Sequence, residues 1–433
     1  MFNLSSRRYT GSKTKLLSRI DEALLKHFDY RGCENLSFFD VFAGTGVVSE
    51  YFIQKKEFSH LIINDFLESN FVTYKAFFAS KEYAKESFDK AKLDFYAKTF
   101  NELDVLLDSH STLKHNFHTN LEILQDNYYS QHFGNAFFSF NDANKIGFIR
   151  DELDNLLESK EITKQEFTIL LASLLYSADR IANTVGHYDA YRKNVRLQDR
   201  FLFMLIEPLA LQDKKIEIYK KDSNTLAKEL TMQSYKYLND SKMLTTESLK
   251  HNLIKKNKIE SISHKNKTLS FLQSKNDKQS LFIDTLSPND IAPSIDITFL
   301  DPPYNSRQYS RFYHLLETLT LNTKPKLYGI AKKPEVNNMS EYCKVGAKEA
   351  LKDLLDSLKT YTRYIVMTYN NTRSANARSN TRISLSEIQS LLTTLGTTHI
   401  HKYNYKAFSS GKTDTKKNFK EHKEYVFVCE VRL

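Results

Sequence analysis

Tryptophan is missing from this 433-residue chain, and cysteine is scarce: Cys33, Cys343 and Cys429 are all there is. They lie too far apart for metal-ligand spacing or a disulfide framework, which fits a reducing cytosol. No apolar run reaches the length of a membrane span, and residues 1–18 are mixed polar and basic. The sequence is therefore read as soluble and cytoplasmic. No internal repeat is visible. Without an indole, aromatic stacking falls to 25 tyrosines and 30 phenylalanines.

What is present is a chain too long for one ordinary core, so two domains or one large domain with insertions is expected. Its 41% hydrophobic content is enough to bury a core. The formal net charge is +10 and the isoelectric point about 9.1. That is a bias toward polyanions, though Lys-rich composition also arises without nucleic-acid binding.

Hydrophobic patterning predicts a βαβ start: a strand over 36–42, the loop Ala43-Gly44-Thr45-Gly46, a helix from Val47 to Gln54, and a second strand over 61–65 ending in an acid. From 68 to 205 helical patterns dominate, over 83–108 and 163–182, with an aromatic, glycine-containing stretch over 128–148 between them. A strand over 215–219 resumes the sheet. Residues 228–280, rich in Lys, Ser, Asn and Thr, read as a polar surface insertion, more solvated face than DNA clamp, and the basic loop 412–423 reads likewise. Further strands are expected over 295–300, 364–369, 399–405 and 425–431.

Directly after the apolar run 295–300 stands Asp301-Pro302-Pro303-Tyr304. The prolines fix φ and remove two backbone donors, leaving carbonyl acceptors, a carboxylate and one flat aromatic face. That set suits a planar ring carrying an exocyclic amino group. The plainer alternative is a Pro-rich stop after a strand. Upstream, the segment from Asp40 through Phe42 to Gly44 and Gly46 puts glycines at a strand-to-helix turn, where a ligand can approach the backbone. It lacks the third glycine of a dinucleotide site. An adenosine ligand without phosphates needs less, and Asp65 lies near the offset at which an acid binds ribose hydroxyls. By itself the glycine pair is also compatible with a tight turn only.

Together these residues resemble motifs I and II of the S-adenosylmethionine-dependent methyltransferases. With the late Asp-Pro-Pro-Tyr, the resemblance narrows to the N6-adenine DNA methyltransferases of the alpha, or Dam-like, group, in a subset associated with restriction–modification systems. Arg8-Tyr9-Thr10-Gly11-Ser12-Lys13-Thr14-Lys15-Leu16-Leu17 is similar to that group's N-terminal motif, though with one glycine where paired glycines are usual. The runs 305–309 and 313–317 extend the match. It covers about 7–66, parts of 128–222 and 295–370.

The resemblance implies an α/β fold, a doubly wound, Rossmann-like, seven-stranded methyltransferase sheet. The catalytic domain would comprise 1–67 and 206–433, with a mostly helical target-recognition insertion over 68–205. It implies S-adenosylmethionine as cofactor, held by Tyr9, Gly11, Lys13, Asp40, Phe42, Gly44, Gly46, Asp65 and Asp222, with Asp284 a rival to Asp222 for the strand end. It implies double-stranded DNA as partner, a flipped-out adenine as target, a nucleoid-associated setting, and a cognate restriction endonuclease acting on the same sequence. Asp301 and the Pro302 carbonyl would accept the N–H bonds of the amino group, Pro303 would stiffen the rim, and Tyr304 would stack on the base. No cysteine nucleophile accompanies the site, which argues against cytosine-ring methylation.

Arg180, Asn183, His187, Tyr188, Tyr191, Arg192 and Lys193 mix base-reading and phosphate-binding side chains, and are read either as DNA contacts or as a polar loop after a helix. Arg307, Gln308 and Tyr309 either hold phosphate or an orphaned base, or cap the next helix. His314 and Glu317 lack companion ligands and read as packing or a helix salt bridge; no metal site is expected. Methylation of an RNA base or a protein amide, and a non-catalytic nucleic-acid-binding protein of this fold, are the alternatives.

Overall fold

A computed structural model describes residues 2–78, 88–103, 126–211, 213–232, 295–335, 338–370, 381–404 and 423–432. Most of the 228–280 insertion, Asp284, the ends of the 83–108 pattern and nearly all of the 412–423 loop lie outside the described residues.

A seven-stranded sheet organises the chain. Its strands are β1 Leu36–Asp40, β2 Phe58–Asn64, β3 Lys215–Tyr219, β4 Ile295–Leu300, β5 Thr362–Asn370, β6 Gly396–Asn404 and β7 Lys423–Val431, in spatial order β3-β2-β1-β4-β5-β7-β6. Pairing is parallel from β3 through to β5. β7 runs antiparallel to both β5 and β6. The order reverses between β1 and β4, so the connections leaving their carboxyl ends diverge and open a crevice there. The glycine loop and Asp301 both sit at that crevice.

The central strands β1, β4 and β5 are buried on both faces, which is why they read as nearly continuous apolar runs, whereas β3 at the sheet edge alternates buried and more exposed residues. Alternate residues feed two apolar clusters. Phe38, Leu61 and Val366 face one; Phe39, Ile62 and Ile365 face the other. The helices α1 Leu17–Leu25, α2 Val47–Ile53, α3 Glu68–Phe77, α4 Lys90–Asn101, α5 Tyr128–Phe133, α6 Phe140–Glu158, α7 Lys164–Ile181 and α8 His314–Leu321 contribute to the first cluster, while α9 Ala347–Leu358 and α10 Leu385–Leu395 cover the second face. The described helices of 68–205 thus share one apolar core with the sheet. Among the described residues no helix is long and apolar enough to cross a membrane.

Two buried charges lock the insertion to the segment that follows Asp301. Glu317 of α8 accepts the backbone N–H groups of Glu68 (3.0 Å) and Ser69 (2.8 Å), capping α3, whose own N-cap residue Leu67 has no side-chain oxygen. Arg150 of α6 donates to the carbonyls of Leu319 (2.7 Å) and Thr320 (3.1 Å) at the far end of α8. His314 is buried, which lowers its pKa to about 4 while the carbonyls of Arg311 (3.0 Å) and Ala331 (2.8 Å), one at each ring nitrogen, oppose the shift. His314 and Glu317 are therefore structural.

Candidate active site

At the crevice lies an open cleft with about 900 Å³ of empty space, lined among others by Tyr9, Gly11, Lys13, Phe42, Gly44, Asp65, Asp222, Asp301 and Pro303. Its floor is the turn between β1 and α2. Gly44 has φ +55° and Gly46 φ +83°, a region L side chains rarely enter. Space forbids a side chain as well: a Cβ on Gly44 would stand 3.0 Å from the Tyr9 ring, and one on Gly46 3.0 Å from Leu4 and Tyr74. The Gly44 N–H donates to Asp65 Oδ2 at 2.8 Å, and the Tyr74 hydroxyl donates to the Gly44 carbonyl at 2.6 Å. The loop is held rigid from both sides.

Asp65 follows β2 and turns its carboxylate toward the loop, where Oδ1 also accepts the Leu67 N–H at 2.9 Å. Burial raises its pKa, and the N–H groups of Leu67 and Gly44 hold it back. The residue also lines the cleft. Asp222 follows β3 and caps the helix over 223–232, accepting from the N–H groups of Asn224 (3.1 Å) and Thr225 (3.0 Å). Asn64 ties the strand ends together, donating to the carbonyls of Val41 and Lys221 at 3.1 Å each. Three consecutive strand ends therefore present an apolar floor with acids at its edge.

The N-terminal segment roofs the cleft on a stack of tyrosines. Tyr9, Tyr309 and Tyr313 form a triangle of near-parallel rings, Tyr9 being 4.6 Å from Tyr313 (3° between planes) and 5.4 Å from Tyr309 (25°), with 6.2 Å between the latter two. The Thr10 N–H donates to the Tyr313 hydroxyl at 2.7 Å, and the Tyr309 hydroxyl donates to the Thr10 carbonyl at 3.2 Å. Gly11, at φ +87°, passes so close to Tyr309 that a Cβ would approach its hydroxyl to 3.2 Å.

Asp301 stands at the end of β4. Its Oδ2 is 2.6 Å from the Lys13 ammonium, and its Oδ1 accepts the Thr368 hydroxyl at 2.8 Å. Lys13 also donates to the Gly11 carbonyl at 3.0 Å and lies 3.6 Å from Glu424. Burial works against the Lys13 charge, but the carboxylates of Asp301 and Glu424 outweigh it and hold the ammonium above its ordinary range. Lys13 thus reaches Asp301 as well as lining the cleft. Pro302 is buried. Tyr304 is half-buried outside the cleft lining, edge-on to Tyr369 at 6.2 Å, its carbonyl accepting from the Arg382 N–H at 2.9 Å.

Three expected site residues, Asp40, Tyr188 and Asn183, are corrected, while Gln308 lines the cleft. Asp40 does not line the cleft; it is fully buried under the loop, accepting from the Ser49 hydroxyl at 2.7 Å. Tyr188 is buried with its hydroxyl on Asp179 at 2.8 Å, so it is a core residue and not a DNA contact. Asn183 spends both amide hydrogens on the carbonyls of Ala136 and Arg192, at 2.9 Å each, closing its own loop and tying it to the segment between α5 and α6. Gln308 pairs its amide with the Ser340 backbone, donating at 3.0 Å and accepting at 2.8 Å, and holds that segment against the cleft. Arg180, Arg192, Lys193 and Arg307 are exposed; Tyr191 is half-buried against Phe137. His187 stacks on Phe312 at 4.7 Å. Sequence reasoning passed over Thr368 and Glu424, which only the pairing of β5 with β4 and β7 brings to Asp301. Tyr313 was within reach, since the run that carries it was already singled out.

Sheet order, glycine turn and strand-end acids define a Rossmann-like methyltransferase fold. The chain belongs to the D12 class N6 adenine-specific DNA methyltransferases, whose family profile matches residues 9–231 and 232–372. It is 27% identical to the modification methylase StsI of Streptococcus sanguinis, over 84% of this chain and 44% of that protein. It is 26% identical to the type II methyltransferase M.FokI of Planomicrobium okeanokoites, over 98% of this chain and 52% of that one. The chain spans about half the length of these two relatives. With the type II methyltransferase M.NlaIII of Neisseria lactamica, at 22% identity, the match covers 98% of both chains.

Proposed function

We propose that this chain transfers a methyl group from S-adenosylmethionine to N6 of an adenine flipped out of a specific double-stranded DNA sequence. It would serve as the modification enzyme of a restriction–modification system, alongside an endonuclease acting on the same sequence. The observation that carries this reading is the place of Asp301: at the end of β4, where the sheet order reverses, on the wall of a cleft that runs back to the glycine turn.

The residues fit the cofactor. The cleft combines apolar walls with a few convergent polar groups, as small-molecule sites do, its floor admits no side chain at Gly44 or Gly46, and Asp65 and Asp222 offer acceptors to ribose hydroxyls and an adenine amino group. When bound, S-adenosylmethionine supplies an activated methyl group. The chain's own part is to make an amino group attack. The adenine amino lone pair is delocalised into the ring and must become more tetrahedral. Asp301 and the Pro302 carbonyl each accept one of its N–H bonds, favouring that geometry and the positive charge growing on nitrogen. One such interaction contributes about 3–4 kcal/mol in a comparable oxyanion site. Tyr304 would stack on the base, worth roughly 1–3 kcal/mol.

Labelled S-adenosylmethionine, purified protein and plasmid DNA test the reading, with modified sites located by sequencing. N6-methyladenine within one recurring short sequence is expected. Label in RNA or protein instead would transfer the assignment to another planar amide or amine.

A further inference from the structure

We propose that Glu424 is a positioning residue for methyl transfer: it shares the Lys13 ammonium with Asp301, so that the wall receiving the amino group keeps one net negative charge. The inference rests on the function proposed above. Four elements converge on this point. Lys13 enters from the N-terminal segment and Asp301 from the end of β4. Thr368 comes from β5. Glu424, from the start of β7, stands opposite Asn370 of β5 in the sheet register, with its carboxylate 3.6 Å from the Lys13 nitrogen. Both Lys13 and Glu424 are buried, at 6% and 5% exposure, so water does little to screen them.

The charge count gives the reason. A Lys13–Asp301 pair alone is neutral, and an acceptor already neutralised by an ammonium is a poor partner for a nitrogen about to become cationic. With Glu424 added, the three groups sum to one negative charge. During transfer the C–S bond breaks and its electron pair goes to sulfur. The amino lone pair forms the C–N bond, and the positive charge passes from sulfur to N6 until an N6 proton leaves to solvent. The amino group is neutral beforehand, so an anionic cluster at its side favours the transition state over the ground state. Geometry supports this role over a simple ion pair. Lys13 sits closer to Asp301 than to Glu424, at 2.6 Å against 3.6 Å, so it orients Asp301 while its charge is shared.

Among the described residues the titratable groups facing Glu424 are Lys13, Asp301 and, beyond Asp301, Tyr304. Burial raises the Glu424 carboxyl above its ordinary range, Lys13 opposes this and Asp301 adds to it. Protonating Glu424 at low pH should therefore slow the reaction.

The test compares the full chain with Glu424→Gln and Glu424→Asp. Three quantities are measured: single-turnover methyl transfer to duplex DNA across pH, binding of S-adenosylmethionine and its neutral product S-adenosylhomocysteine by calorimetry, and melting temperature. Glu424→Gln should lower the single-turnover rate on the order of 10–100-fold and flatten the acid limb of the profile. It should also weaken preference for the sulfonium cation over the neutral thioether while melting normally, and Glu424→Asp should recover most of the rate. A wild-type rate and unaltered cofactor preference in Glu424→Gln overturn the proposal. Equal loss in both variants with a lowered melting temperature also overturns it, marking a purely structural role. If the wild-type chain methylates no DNA, the functional reading fails instead, and the cofactor preference still tests Glu424.

Discussion

Asp40 and Asp301 show how opposite demands on one residue type can be met at the ends of two paired strands. On the proposed function Asp301 has to stay an acceptor, and Lys13 and Thr368 grip both its oxygens. Asp301→Ala should reduce methyl transfer by at least about 100-fold, the scale of one lost charge-stabilising contact. DNA binding, measured by fluorescence anisotropy, should persist; near-normal turnover in this variant would refute the assignment. Asp40 is in the contrary position. It has no exposed surface, one oxygen has no partner, and burial pushes its pKa up to about 8, with Asp301 and Asp65 adding to the shift. The fold binds this proton more tightly than the unfolded chain does, so the stability it contributes is complete below about pH 4 and is lost as pH rises through about 8. The slope approaches 1.4 kcal/mol per pH unit within that window. Asparagine can accept the Ser49 hydroxyl and never ionises. Asp40→Asn should therefore gain stability relative to the wild type between pH 6 and pH 8, seen as a higher urea midpoint at pH 8. A parallel pH dependence in both proteins would show that Asp40 is not the source. Nothing in the segment Asp40–Gly46 announces this division of labour, because a strand-end acid and a buried one are the same letter.

Elements were legible where burial writes a period into the sequence. The strands over 215–219 and 295–300 were expected at the residues where they occur: the mostly apolar run of the second is what a doubly covered strand requires, and the alternation of Ile216 and Ile218 with polar residues is what a half-covered edge strand requires. The polar loop after α7 was harder. Asn183 and Tyr188 resemble solvent-facing residues, yet the loop folds back and buries them, its Tyr188 N–H donating to the Phe312 carbonyl at 2.7 Å. Long-range partners override local polarity there. The same principle reverses the usual sign of a helix substitution. Replacing a helix-interior glycine by alanine ordinarily gains about 1 kcal/mol. In α6, a Cβ on Gly147 would lie 2.3 Å from Asn127 Oδ1. Asn127 caps α5 through the N–H groups of Tyr129 and Ser130 and donates to the Asn144 carbonyl at 2.8 Å. Gly147→Ala should displace it and destabilise the protein by about 1–2 kcal/mol, read from the urea midpoint. In a double-mutant cycle with Asn127→Ala the two losses should fall short of additive. A stabilised Gly147→Ala would show that Asn127 moves aside freely.

Charge is a property of the molecule as a whole, and the net +10 of the sequence says nothing about where it acts. Part of it gathers in one exposed strip after α7. Arg192, Lys193, Arg196 and Arg200 are exposed within nine residues that hold one acid, Asp199. The stretch leading into them is fastened to the turn after Asp301. His187 stacks on Phe312, the Gly186 carbonyl accepts from the Tyr313 hydroxyl at 3.3 Å, and Asp189 pairs with Lys333. On the proposed function, this strip is the surface we assign to the duplex phosphates. Each phosphate neutralised by a basic side chain contributes about 0.9 to the slope of log affinity against log salt. Replacing Arg192, Lys193 and Arg196 together by glutamine should therefore lower the slope by up to about 2.7, and weaken specific and non-specific duplexes alike, since phosphate contacts carry no sequence information. Melting temperature and S-adenosylmethionine affinity should be unchanged, because these side chains are exposed and outside the cleft lining. Anisotropy titrations of one duplex at several salt concentrations decide it: an unchanged slope would mean that DNA approaches the cleft from another side, and a loss confined to the specific duplex would mean that these residues read bases.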